Sequence, residues 1–126
     1  DHYTTDIDKR YELAPLKKNH SKFGFVEPLI FFKPSIATSE ILNVDKFLSD
    51  GDNFDDYFLG TLGFDKNLYH FYLHHLKLDY KNNKIYIFDK ILIGERIRDI
   101  KYIEDLNLIL LFLENSGSLG VLKLSN

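Results

Sequence analysis

From Leu29 to the end of the chain, turn signals recur roughly every 8–14 residues, and only short apolar, aromatic and β-branched segments fit between them. That spacing suits strands joined by tight connections and excludes long helices. The segments are Ile36 to Val44, Asp56 to Leu62, Asn67 to Leu78, Lys84 to Leu92, Ile97 to Ile103, Asn107 to Leu113 and Leu119 to Leu124. A shorter apolar run, Leu29 to Phe32, precedes them and is closed by Lys33-Pro34. The connections are the acidic stretch Asp45 to Asp56, then Asp79 to Asn83, Gly94-Glu95, Glu104-Asp105 and Glu114 to Ser118. Leu68 to Leu76 is long enough for a helix, but its aromatic loading and the alternating Ile85 and Ile87 after the turn favour a hairpin. About eight strands in consecutive antiparallel meanders are expected, an all-β chain.

Four-stranded meanders repeating every ~40–50 residues are the pattern of propeller blades. Phe58 to Phe88 makes most of one unit and Ile97 to Leu124 most of another. Two to three blades cannot close a ring, because each blade buries its faces against its neighbours. The expectation is a partial propeller, completed by remaining blades or by a second copy of the chain. Unpaired strand edges and bare blade faces would favour a dimer or larger assembly. Residues 1–22, polar and aperiodic with Pro15 and Lys17-Lys18, read as an extended arm; residues 23–126 carry the blades.

The chain has 126 residues, 44% hydrophobic and 15% aromatic, enough for one domain-sized core. A net charge of −3 and the absence of any basic run argue against a nucleic-acid partner. No apolar run reaches the ~20 residues of a membrane-spanning helix. Cysteine is absent, which removes disulfide and thiolate chemistry. Methionine is absent even at position 1, so Asp1 is read as the start of a processed product or of a piece of something longer.

The stretch Gly94-Glu95-Arg96-Ile97-Arg98-Asp99-Ile100 is the first candidate site. On a strand, Arg96 and Arg98 would share one face and Ile97 the other. Two planar, permanently charged donor groups side by side can receive a carboxylate or a phosphate. The plainer alternative is a solvated face paired with Glu95, Asp99, Glu104 or Asp105.

Four segments resemble, in order, the C-terminal part of the glucose/sorbosone dehydrogenase family of soluble pyrroloquinoline-quinone (PQQ) sugar dehydrogenases. Glu27-Pro28 with Phe32-Lys33-Pro34-Ser35-Ile36-Ala37-Thr38-Ser39 resembles an "EP…PSIAxS" strand. Tyr57-Phe58-Leu59-Gly60-Thr61-Leu62-Gly63 resembles "LxVGSLK", Glu95 to Ile100 resembles "xRIRDV", and Asn115 to Leu124 resembles "NxGSLxxL". The resemblance implies a six-bladed β-propeller that carries PQQ over its channel, often with calcium, and oxidises aldoses, in a periplasmic or secreted setting. It also implies that Arg96 and Arg98 contact the cofactor and that Ser35 lies beside the quinone. PQQ carries three carboxylates, which suits the two arginines. Gly63 stands where the family has a lysine, with Lys66 three residues on. The family's catalytic histidine belongs to N-terminal blades, so this chain alone is not expected to be an active dehydrogenase. The alternative is a non-catalytic propeller module that binds a protein partner. Gly63→Lys separates the two readings: gained PQQ binding would favour a degenerate enzyme site, and no effect would favour an interaction role.

The remaining candidates have plainer readings. His70 and His74 share a strand face opposed by His75, too far apart for one metal ion; in a helix they would sit at i,i+4 and could bind zinc, but solvated or aromatic-packed histidines are favoured. The loop Asp50-Gly51-Asp52-Asn53-Phe54-Asp55-Asp56 is carboxylate-rich but lacks a calcium-loop pattern and reads as a polar turn. Asn19-His20-Ser21 fits a glycosylation sequon. Tyr57, Phe58, Phe64, Tyr69, Phe71 and Tyr72 could stack on sugar, with inter-blade core as the plainer use.

Overall fold

The computed structural model describes residues 22–24, 26, 28–32, 35–48, 51–63 and 71–124. The chain divides into two compact units, Asp1–Pro34 and Ser35–Asn126. In the first, Lys22 and Phe23 form a helical turn, with the Lys22 ammonium 5.5 Å from the Phe23 ring centre. Residues 28–32 adopt no strand, contrary to the expectation for that apolar run.

The second unit is nearly all β. It runs β1 (Thr38–Asn43), α1 (Asp45–Leu48), β2 (Asp55–Thr61), β3 (Tyr72–Asp79), β4 (Lys84–Leu92), β5 (Ile97–Ile103), a 3₁₀ turn (Glu104–Leu106), β6 (Leu108–Leu113) and β7 (Ser118–Leu122). Chain order is spatial order in both sheets: β1-β2-β3-β4 in one and β5-β6-β7 in the other, every pair antiparallel. The first sheet therefore starts about a strand and a half earlier than the Phe58 to Phe88 unit read from sequence. The second has three strands, and seven strands stand among the described residues.

Local chemistry sets the boundaries. Asn83 and Asn107 take the left-handed backbone conformation with φ of 50° and 46°, which asparagine tolerates better than most residues, and each closes a turn between strands. The helical turn α1 lies inside the stretch expected to be irregular. Asn43 Oδ1 accepts the Asp45 N–H at 3.2 Å, and Val44 O accepts the N–H groups of Phe47 and Leu48. The turn survives because Phe47 is buried, its ring edge-on to Phe58 at 6.4 Å and to Tyr102 at 6.0 Å.

The strand registers sort the side chains. On one face of the first sheet, Leu42, Phe58, Leu73 and Ile91 meet Ile97, Ile100, Ile109 and Leu111 of the second sheet in a single core cluster. Toward the other end of that face the residues turn polar: Asp56, His75, Lys77 and Tyr86. The opposite face buries Leu59, His74 and Leu76. The two sheets approach most closely between β1, β2 and β5. Ser39 Oγ donates to Ile97 O at 2.5 Å across that seam, and Gly60 leaves room for it.

Candidate functional site

The two arginines do not follow a simple alternation. Arg96 precedes β5, and the register slips between Ile97 paired with Leu113 and Asp99 paired with Phe112, so Arg98 is an extra, bulged residue. Ile97 is fully buried in the core. Both guanidinium groups converge on one carboxylate oxygen, Glu114 Oε1, with Arg98 Nη2 at 2.8 Å and Arg96 Nη1 at 3.8 Å. Glu114 is absent from the four carboxylates that sequence proximity suggested. The β5–β6 hairpin brings it alongside, and its N–H donates to Arg96 O at 3.0 Å. All three side chains are substantially exposed. Ser35 is also exposed, and its Oγ accepts the Ala37 N–H at 3.2 Å in a local turn. No hydrogen bond or ion pair joins Ser35 to either arginine among the described residues.

Gly63, at the position where the resembled family carries lysine, has φ of 62°, and a Cβ there would come within 2.8 Å of the Phe71 ring. A lysine side chain is therefore strained at this position. Lys66, His70, Phe64, Tyr69, Asp50 and the sequon Asn19-His20-Ser21 lie outside the described residues. Of the other aromatic candidates, Phe58 is core, Tyr57 shares a hydroxyl contact of 3.2 Å with Tyr80, and Tyr72 packs edge-on to His74.

A denser constellation lies at the polar end of the first sheet. Registers pair Asp56 with Lys77 and Phe58 with His75 across β2 and β3. Asp56 is 1% exposed and has charged or polar partners on two sides: His75 Nε2 on Oδ1, and Lys77 Nζ at 3.3 Å from Oδ1 and 3.4 Å from Oδ2. Its backbone N–H donates to Asp45 Oδ1 at 2.5 Å, which ties α1 to the same point. A buried carboxylate needs such partners, because desolvation would otherwise expel its charge.

His75 is held edge-on between Phe58 at 5.4 Å and Phe88 at 5.0 Å. Phe88 reaches it because β4 carries a bulge: Leu76 pairs with Ile87 and His75 with Asp89, leaving Phe88 as the extra residue. The Lys77 ammonium lies 4.8 Å from the Phe88 ring centre and 2.5 Å from Asp52 Oδ2. Asp52 Oδ1 accepts the Phe54 N–H at 2.9 Å. The Lys77 bond, then the Phe54 N–H, hold the Asp52 carboxyl below its ordinary pKa.

Above this cluster opens a cleft of about 450 Å³ lined by Asp52, Phe54, Lys77, Tyr86 and Phe88. Phe54 and Tyr86 stand perpendicular with centres 6.5 Å apart and form one corner of it. No three His, Cys, Asp or Glu side chains among the described residues are grouped to hold a metal ion. No described helix is long and apolar enough to cross a membrane. Sequence reading left His75 as a solvated or aromatic-packed histidine, and the structure packs it between aromatic rings. The Asp56–Lys77 juxtaposition depends on the β2–β3 register, and Phe88 enters only through its bulge.

No family model, curated protein or solved structure matches this chain.

Proposed function

We propose that the chain is an assembly module: two consecutive blades of an incomplete β-propeller, the second of which is completed by a strand from further polypeptide. Consecutive meanders whose first strands, β1 and β5, lie closest together support the blade reading. The observation that carries the assembly role is the contrast between two sheet edges. The β4 edge has Lys84, Asp89, Lys90 and a bulge, the usual guards against strand addition. The β7 edge, Ser118-Leu119-Gly120-Val121-Leu122, carries no charge and no proline. It also borders an outer face where Leu110, Phe112, Leu119 and Val121 fall together by register and the last three are exposed. The test is light scattering over a concentration series. Mass at or above twice the 14.8 kDa chain, returning to one chain with Leu119→Lys or Val121→Lys, supports the reading. A monodisperse monomer at high concentration refutes it.

A second reading retains PQQ, supported by the convergence of Arg96 and Arg98 on a single carboxylate oxygen. A PQQ carboxylate in place of the Glu114 side chain would meet the same two guanidinium groups. Calorimetric titration with PQQ and calcium decides it. Saturable binding lost in Arg96→Ala and Arg98→Ala supports this reading, and no binding by either the parent chain or Glu114→Gln rejects it.

A further inference from the structure

The cleft over Lys77 has a composition that selects among ligands. Its walls are aromatic: Phe54 and Tyr86 at right angles, with Phe88 beside them. The charged groups lining it are the Asp52 carboxylate and the Lys77 ammonium; Lys77 is also paired with the buried Asp56 carboxylate, whose other partner, His75, is positive only when protonated. With His75 neutral, this set carries one negative charge in excess. An anion entering the cleft would meet the half-exposed Asp52 at the mouth, and an uncharged apolar ligand would cover that carboxylate without compensating it. A monocation both stacks on the rings and offsets the excess charge. The ring–cation contact is already present in the wall itself, where the Lys77 ammonium sits 4.8 Å from Phe88.

We propose that this cleft is a recognition site for an alkylammonium head group, seated against Phe54 and Tyr86 with its charge toward Asp52. The Asp52 carboxylate is pre-positioned for this, held by the Phe54 N–H at 2.9 Å and by Lys77. Little ordering of the protein would be needed on binding. The head group could belong to a small molecule or to a methylated lysine side chain, and the same cage chemistry serves both.

The test is an NMR titration of the full chain with tetramethylammonium chloride, at ionic strength held constant with sodium chloride. The expected result is saturable shifts confined to the amides around Asp52–Phe54, Lys77 and Tyr86–Phe88, with a dissociation constant of about 1–10 mM. Asp52→Asn and Tyr86→Ala, each verified as folded by amide dispersion, should weaken binding at least ~5-fold. Shifts that stay linear to about 100 mM, or equal shifts with sodium acetate, overturn the proposal. So does undiminished binding in both variants. Choline and an N-acetyl trimethyllysine amide then separate the sources. Equal affinity means that the head group alone is read, and tighter binding of the lysine derivative means that a peptide side chain is the natural occupant.

Discussion

Gly60→Ala tests how tightly the two sheets are joined. Gly60 lies on β2 against β5, and a Cβ there would meet Ser39 Oγ at 2.8 Å, Ile97 Cγ2 at 3.1 Å and Ile100 Cδ1 at 3.3 Å. The backbone is outside the left-handed region, so alanine incurs no conformational strain; restricting the unfolded chain contributes about 0.4–1 kcal/mol in its favour. Against that stands overpacking, about 1–3 kcal/mol when neighbours cannot retreat. Ile97 is completely buried and Ile100 nearly so, which blocks retreat on that side. Ser39 can yield only by leaving Ile97 O, a loss of about 1 kcal/mol. The net expectation is a destabilisation of about 1.5–3 kcal/mol. Urea unfolding reads it as a midpoint lowered by roughly 1 M at unchanged slope. Part of the penalty is specific to Ser39 Oγ, so the Gly60→Ala cost should shrink by about 1 kcal/mol in a Ser39→Ala background. A single-variant effect below about 0.5 kcal/mol would refute the close packing of Gly60 against β5, and strict additivity in the double variant would refute its contact with Ser39 of β1.

Asp56→Ala should cost about 3 kcal/mol in the same assay, because it strips a buried counter-charge from Lys77 and a hydrogen-bond partner from His75. Glu114→Ala should cost less than about 1 kcal/mol, since the arginine pair it joins is exposed. Asp52 titrates below its ordinary 3.8 in the folded chain, so the stability it adds is complete above that value and is lost as pH falls through the lowered one. Asp52→Asn should therefore lie below the parent chain in stability at neutral pH and converge with it in strong acid, measured by urea midpoints across the pH series. Gly63→Ala should destabilise by about 1 kcal/mol or more through its positive φ and the approach to Phe71, seen as a lower thermal midpoint.

The strands were legible because their signals are local. The alternating Ile85 and Ile87 and the polar turn stretch Asp79 to Asn83 locate elements without knowledge of what they pack against. The bulges were not. Nothing in Arg96-Ile97-Arg98 or Ile87-Phe88-Asp89 announces that Arg98 and Phe88 stand outside the pairing register, because that is settled by the partner strand. The helical turn at Asp45–Leu48 escaped for a related reason. Four residues cannot show helical periodicity, and the turn is held by burial of Phe47 between Phe58 and Tyr102. The ion pairs followed the same rule: Glu114 reaches Arg98 over 16 residues and Asp56 reaches Lys77 over 21, distances at which only topology decides.

The two basic groupings are under different constraints, and this bears on which is free to act on a ligand. Arg96 and Arg98 share an exposed carboxylate whose attraction is screened by solvent, so exchanging Glu114 for another anion disturbs little else. Lys77 is 7% exposed, and its position is enforced by Asp52, Asp56 and Phe88 together. Moving it would leave Asp56 charged in a dry setting beside His75. Lys77 therefore acts as fixed floor, and a ligand of that cleft must be recognised by the groups still open to solvent: the outer side of Asp52 and the faces of Phe54 and Tyr86. Phe58 ties this floor to the core, since its ring contacts Phe47 on one side and His75 on the other. Repacking of Phe47 should consequently perturb the cleft, whereas a change at Glu114 should leave it untouched.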